Sequence, residues 1–249
     1  MSNGNAFLLA VLFIGLPALA LFGLRWKRGK ERSASTCGTK AHPGGTIEAL
    51  AWFVGPVLSK RQGGNKSPGM PAHPAPDIPG FGFDFPIGVD LPLRSGPKVD
   101  YVTFRHGPLT GKRQIRMRYR LEKAADVDVL AVPEVDATNR YQASMTLYFQ
   151  QEGDNWTASG KYEAYRWYAT QNGGSVVLEA GEHELVVPLD AGWTATQTST
   201  TASNPKGFAA AKDNACCVGF VFGGNEVGYG HGARATGPAR LVVTDFRVE

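Results

Sequence analysis

The pattern that most constrains the fold is a strict alternation of apolar and polar side chains over residues 114–121. Every second residue is apolar, and the residues between them are one glutamine and three arginines. A period of two places the apolar residues on one face of a β-strand and the polar residues on the other. The segment therefore predicts a half-buried strand with an arginine ladder on its outer face.

Further segments of this kind follow one another through the C-terminal part of the chain. The predicted strands lie at 99–104, 127–132, 145–149, 176–178, 185–189, 218–222 and 241–248. Turn-forming residues separate several of them, and we predict no amphipathic helix between them. This order predicts an all-β sandwich. Its strands are spaced more widely than in an immunoglobulin domain and lack a Cys–Trp–Cys pattern, which favours a jelly roll.

The N-terminus carries an apolar run, residues 6–24, without a charged or amide side chain. A helix of this length spans about 28 Å, close to the hydrocarbon thickness of a bilayer. Five Lys or Arg follow within 25–32, whereas residues 1–5 have none, which is the reverse of a signal peptide. We predict that 1–32 is an uncleaved, single-pass transmembrane anchor. The positive-inside rule then places the chain after it in the cytoplasm.

Residues 33–80 are predicted to be a linker between the anchor and a β-sandwich domain at 81–249. The linker contains a short apolar segment, 47–58, which is too short to span a membrane and predicts a surface-lying or domain-packed helix. A tilted or re-entrant span is the alternative, and it would reverse the topology of the domain. Residues 62–80 contain five Pro and four Gly, a composition typical of a semi-extended spacer.

Charge is distributed unevenly along the chain. Residues 1–66 hold nine Lys or Arg against two acids, and the remaining residues hold seventeen against twenty. A nucleic-acid-binding domain concentrates positive charge in its folded part. We therefore predict no nucleic-acid partner.

Catalytic signatures are missing from the sequence. There is no GxSxG, residues 107–112 fall one residue short of a P-loop, and His183-Glu184 lacks the second histidine of a zinc protease motif. We therefore favour a non-enzymatic function and predict no metal site. A glycan-active hydrolase is a third option, since it needs two facing carboxylates. The available carboxylates are Glu134, Asp136, Glu152, Asp154 and Glu163.

Aromatic residues are concentrated in 141–168, where eight occur in 28 positions. Exposed Trp and Tyr rings can stack on the apolar faces of sugars, and core packing of the same rings is the alternative. Strand alternation over 161–168 would put Tyr162, Arg166 and Tyr168 on one face and Trp167 on the other. A glycine-rich segment, 222–232, could form a loop rim, or a plain hairpin loop. The candidate ligand-binding residues are Tyr162, Arg166, Trp167, Tyr168, Asn225, Tyr229 and His231.

The strand order, the aromatic-rich middle, the Pro-Leu-x-x-x-Trp segment ending at Trp193 and the closing strand 241–248 resemble galactose-binding-like jelly-roll modules. The resemblance is one of pattern and covers about residues 80–249. It implies carbohydrate binding, as in carbohydrate-binding modules of that type. In that family calcium often lies between the first and last strands. The carboxylates to consider here are Asp84, Asp90 and Asp245, but no spacing fixes a site, and we predict no cofactor.

The sequence thus predicts a membrane-anchored, non-catalytic sandwich that binds a glycan through aromatic-rich strands. The alternative is a structural or assembly protein whose sandwich holds a partner protein at the membrane. A cytoplasmic domain would rarely meet envelope glycans, so membrane topology separates the two functions.

Overall fold

The computed structural model describes residues 52–54, for which only the backbone is described, and 81–88, 97–132, 140–171, 173–190, 192–196, 199–224 and 228–249. The chain divides into two units, Met1–Arg32 and Ser33–Glu249, and every described residue belongs to the second. The predicted anchor and the spacer 62–80 lie outside the described residues. Within the described ranges, no helix has the length and apolar character needed to cross a bilayer.

The described part of the chain consists mostly of antiparallel β-strands, and the predicted all-β sandwich is confirmed at that level. In chain order the strands are β1 (Trp52–Val54), β2 (Phe81–Asp84), β3 (Tyr101–Arg105), β4 (Gln114–Lys123), β5 (Val129–Ala131), β6 (Ser144–Gln151), β7 (Arg166–Tyr168), β8 (Ser175–Val177), β9 (Gly181–Pro188), β10 (Thr194–Ala195), β11 (Ala215–Gly224), β12 (Gly228–Tyr229), β13 (Ala233–Ala235) and β14 (Ala239–Val248). One helix, α1 (Pro205–Asp213), lies between β10 and β11.

Two main sheets face each other. The large sheet has the order β1-β3-β11-β6-β7-β10, with β12 beside β11 and β8 beside β6. The small sheet has the order β2-β14-β4-β9, and β13 pairs with β5 in a separate ribbon. Phe81 of β2 stacks on Phe220 of β11 at 6.4 Å between ring centroids, and Phe83 meets Phe222 edge-on at 6.1 Å. These contacts join the two sheets through a common apolar core.

The alternation in 114–121 has the predicted outcome. The apolar residues of β4 are buried in the core, and its arginines face outward. Oε1 of Glu184, in β9, accepts hydrogen bonds from Nε of Arg116 at 2.6 Å and from Nε of Arg118 at 2.8 Å. The hydrogen bonds from Arg118 and Arg116 lower the pKa of Glu184. The arginine ladder is thus an ion-paired outer face, which contributes little to stability because it is solvated.

Helix α1 is one of the elements that the sequence did not predict. Asn204 caps its first turn by accepting a hydrogen bond from the backbone N–H of Gly207, and proline occupies the first helical position. Phe208 is directed inward, where its ring lies 5.0 Å from Trp167 and 5.7 Å from Phe149. With only Phe208 and Ala211 buried, the apolar stripe is too narrow to be recognised from periodicity.

The described part of the segment 47–58, Trp52–Val54, differs from the helix that we predicted. Its residues Trp52–Val54 form β1, an edge strand that pairs antiparallel with β3, with Trp52 opposite Phe104. Aromatic and β-branched residues favour strands, and the open edge of β3 supplies the partner. The large sheet therefore includes a strand from upstream of the predicted domain start at residue 81. In the sequence, the proline-rich residues 62–80 accordingly fall between β1 and β2.

Candidate functional site

One face of the large sheet, the one turned away from the sandwich core, carries a second and separate cluster of buried aromatic residues. We call this surface the aromatic face. Its strands are in register, so that Tyr148 of β6 lies opposite Tyr168 of β7 and Gln150 lies opposite Arg166. Tyr101 of β3 joins them across β11.

Three tyrosine hydroxyls are hydrogen-bonded within the aromatic face. The phenol oxygens of Tyr101 and Tyr168 lie 2.8 Å apart, and the Tyr148 hydroxyl lies 2.5 Å from Oγ1 of Thr103. The Tyr101 and Tyr148 rings meet edge-on at 5.2 Å. Burial raises the pKa of both tyrosines well above the ordinary value of 10. The Tyr101 and Tyr148 hydroxyls are therefore neutral at physiological pH and serve as hydrogen-bond donors and acceptors.

A buried ion pair borders the tyrosines. Nε of Arg166 lies 2.7 Å from Oδ2 of Asp154, and both side chains are almost fully buried. Asp154 also accepts hydrogen bonds from Nε2 of Gln150 at 3.1 Å and from the backbone N–H of Trp156 at 2.9 Å. Burial raises the pKa of Asp154, an effect that the neighbouring Arg166 opposes. The network joins two strands to the turn that follows β6.

Two half-buried rings cover the aromatic face. The guanidinium carbon of Arg166 lies 4.4 Å from the centroid of the Trp156 ring, which also meets Tyr101 edge-on at 5.1 Å. Tyr229 is nearly parallel to Tyr168 with 6.3 Å between centroids. Tyr101 and Tyr168 themselves are only 4% and 5% exposed. A ligand approaching this face would therefore meet Trp156 and Tyr229 first.

The glycines around Tyr229 have a specific steric purpose. Gly228, Gly230 and Gly232 all have positive φ, a conformation that residues with a Cβ rarely adopt. A Cβ added at Gly230 would lie 2.6 Å from the Tyr101 hydroxyl oxygen. The backbone next to Tyr229 thus passes directly over the Tyr101 hydroxyl.

The structure brings three of the predicted site residues together, namely Arg166, Tyr168 and Tyr229. Trp167 lies on the opposite side of β7, is fully buried in the sandwich core, and donates from Nε1 to the backbone oxygen of Ala164 at 2.9 Å. This orientation follows the alternation that we predicted over 161–168, although the strand covers only Arg166–Tyr168.

The remaining predicted residues have other environments. Tyr162 ends a 3-10 turn, Gly160–Tyr162, and packs against Tyr165 at 5.1 Å, because the strand begins only at Arg166. His231 is half-buried, and its backbone oxygen accepts a hydrogen bond from Nζ of Lys98 at 2.7 Å. Asn225 lies outside the described residues.

Sequence reasoning did not select Tyr101, Tyr148, Asp154 or Trp156 as ligand-binding residues. Tyr101 and Tyr148 follow the period of their strands, so the outward-facing set of two predicted strands could have identified them. Trp156 follows a turn signal, and nothing local links it to Tyr101, from which 55 positions separate it.

Three of the five carboxylates considered for hydrolysis lie in the described part of the chain. Asp154 is paired with Arg166, while Oε1 of Glu163 accepts a hydrogen bond from the backbone N–H of Gly160. Glu152 is exposed at a turn, and Glu134 and Asp136 fall in the undescribed part of the chain.

Where the structure describes the chain, no three His, Cys, Asp or Glu residues lie close enough together to hold a metal ion. Asp84 lies 3.4 Å from Nη1 of Arg240, and Asp245 lies 2.9 Å from Nε of Arg247. Asp90 is outside the described residues.

No protein-family model matches the chain, and no curated protein matches its sequence. The chemistry of the aromatic face therefore has to carry any functional proposal.

Proposed function

We propose that this chain is a membrane-anchored, non-catalytic β-sandwich of the jelly-roll type that binds carbohydrate through its aromatic face. One observation carries the proposal. Two half-buried rings, Trp156 and Tyr229, contact the two members of a buried hydroxyl pair, Tyr101 and Tyr168. Aromatic surface and hydroxyl groups thus occur together outside the sandwich core.

This combination suits a saccharide for a physical reason. A sugar ring has an apolar C–H face and a rim of hydroxyls, so it needs aromatic area and hydrogen-bonding groups side by side. Tyr229 has one face against Tyr168 and is half-exposed, and Trp156 has one face against Arg166. Each ring can therefore present only its other face to a ligand.

The supporting layer beneath these rings is fixed in place. Arg166 is held by Asp154, and the tyrosines are held by each other and by Thr103. A preorganised site loses less conformational entropy on binding than a mobile one. The buried network is therefore consistent with a recognition surface.

A second candidate is an assembly protein that holds a protein partner at the membrane. The observation in its favour is that the Tyr101 and Tyr168 hydroxyls bond to each other, as in a packed interior. The proposed anchor, residues 1–32, supports either function. By the positive-inside rule the sandwich is cytoplasmic, a compartment poor in envelope glycans, so topology discriminates between the two candidates.

The direct test is retention of the full-length protein, in detergent micelles, on a panel of immobilised polysaccharides and envelope glycans. We expect one glycan class to retain the protein, and Tyr229→Ala to weaken that retention at least tenfold. Tyr141→Ala is the matched control, because Tyr141 packs against the sandwich core instead of the aromatic face. Retention by no glycan, or equal loss in the two variants, would overturn the proposal.

A further inference from the structure

The aromatic face is closed in this structure. Tyr148 is completely buried, and Tyr101 and Tyr168 are nearly so. Trp156 and Tyr229 pack over this cluster from two different segments. A ligand can reach the Tyr101–Tyr168 hydroxyl pair only if at least one of these two rings moves.

The two covering rings are held in different ways. Tyr229 belongs to β12, which pairs with β11, and the following Gly230 donates its backbone N–H to Phe222 at 3.0 Å. The backbone of Trp156 forms hydrogen bonds with two side chains. Its N–H bonds to Asp154 at 2.9 Å, and its carbonyl accepts from Arg166 at 3.2 Å.

Backbone conformation also distinguishes Trp156. Its φ is +68°, and that of Ala158 is +52°, and these are the two non-glycine residues with positive φ among those described. Such a conformation is unfavourable for residues with a Cβ and persists only where surrounding contacts impose it. The turn is therefore held closed against its own backbone preference.

We propose that residues 155–157 form a lid, with Trp156 as the residue that closes the aromatic face and the buried Asp154, which precedes the lid, as its latch. The lid lifts Trp156 away from Tyr101 while Tyr229 stays in place. Its use as the entrance for a saccharide rests on the proposed function, whereas the motion itself does not. Trp156 is then a ligand-contacting residue of the site, in addition to Tyr229.

The first experiment measures how fast each tyrosine of the full-length protein is nitrated by tetranitromethane, read out by peptide mass spectrometry. Asp154→Asn removes the charge that holds Arg166 and Trp156, so we expect nitration of Tyr101 and Tyr168 to accelerate about tenfold. Trp156→Gly removes the ring and replaces it with a residue that adopts positive φ without strain. Its nitration rates for Tyr101 and Tyr168 therefore define the rates expected when the aromatic face is open. Tyr148 reports global unfolding and should stay slow in both variants.

A second measurement uses the unmodified protein, so it does not depend on the folding of a variant. Native-state hydrogen exchange should show the Trp156 amide exchanging at least tenfold faster than the Phe149 amide, which lies in the centre of the large sheet. If Tyr148 is nitrated rapidly in Asp154→Asn, that variant has unfolded. The comparison of the Trp156 and Phe149 amides in the unmodified protein is then the test of the lid.

Two results would overturn the lid. One is Tyr101 nitration at the wild-type rate in a folded Asp154→Asn variant. The other is a Trp156 amide that exchanges as slowly as that of Phe149. Failure to bind any glycan would remove the proposed function but would leave both solution measurements unaffected, so the two proposals can fail separately.

Discussion

The phenol oxygens of Tyr101 and Tyr168 lie 2.8 Å apart, although 67 positions separate the two residues in the chain. The bond joins β3 to β7 across two intervening strands of the large sheet. Trp156 contacts the first tyrosine and Tyr229 contacts the second. This single hydrogen bond therefore links both covering rings of the aromatic face.

The close approach of Gly230 to Tyr101 predicts that Gly230→Ala destabilises the sandwich. An added Cβ would clash with the hydroxyl oxygen at 2.6 Å and would impose a positive φ on alanine. We expect the free energy of unfolding, measured by urea denaturation, to decrease by about 1–3 kcal/mol. Gly173→Ala is the matched control, because Gly173 also has positive φ but nothing lies within 4 Å of its added Cβ. Equal losses in the two variants would contradict the steric part of the prediction.

Phe208 is the residue through which α1 contributes to the core. Its ring meets Phe149, Trp167 and Trp193, so truncation leaves a cavity that these large rings cannot fill. We expect Phe208→Ala to cost about 3–5 kcal/mol of unfolding free energy. Lys206→Ala, at an exposed position of the same helix, should change stability little. Thermal and urea unfolding measure this free energy. A decrease of less than about 1 kcal/mol in Phe208→Ala would show that α1 is not an essential part of the core.

The ion pair between Asp154 and Arg166 predicts strong coupling between the two residues. Removing one partner leaves an uncompensated buried charge, and we expect Arg166→Gln or Asp154→Asn alone to cost about 3–5 kcal/mol. The double variant should lose less unfolding free energy than the sum of the losses in the two single variants. A double-mutant cycle on unfolding free energies tests this, and additivity would contradict it.

Buried tyrosines predict a specific alkaline behaviour. Burial raises the pKa of Tyr101 and Tyr148, and it raises the pKa of Tyr119 to about 12. The folded protein then retains protons that the unfolded chain releases, so stability decreases as pH rises above about 10. Absorbance at 295 nm should show these tyrosines ionising together with unfolding. Tyr148→Phe should weaken the pH dependence, and normal ionisation near pH 10 in the folded state would contradict the prediction.

Membrane topology predicts how proteases reach the sandwich. With the basic flank of residues 25–32 on the cytoplasmic side, we expect the domain to resist added protease in intact spheroplasts and to be digested after lysis. That result favours the assembly function. Digestion in intact spheroplasts would contradict the predicted topology and would favour carbohydrate binding.

Local periodicity predicted the orientation of the β4 side chains because one face of this strand is buried and the other faces solvent. Its arginines and apolar residues alternate visibly, and the structure places them accordingly. β6 carries a comparable alternation, yet seven of its eight residues are buried. The face of β6 that carries its polar residues is part of the aromatic face and is covered by the turn that contains Trp156. The sequence pattern alone therefore could not distinguish the core face of β6 from the face at the candidate site.

The sequence by itself determined the strand-rich composition, the alternation that orients Arg166 and Tyr168 together, and the glycines that free the backbone around Tyr229. Each of these is a local property of a few neighbouring residues. Only the tertiary structure decided that Trp52–Val54 joins the large sheet and that Trp156 covers Tyr101. Both relationships join segments about 50 residues apart, and such pairings depend on the free energy of the assembled sandwich, since local preference alone cannot specify them.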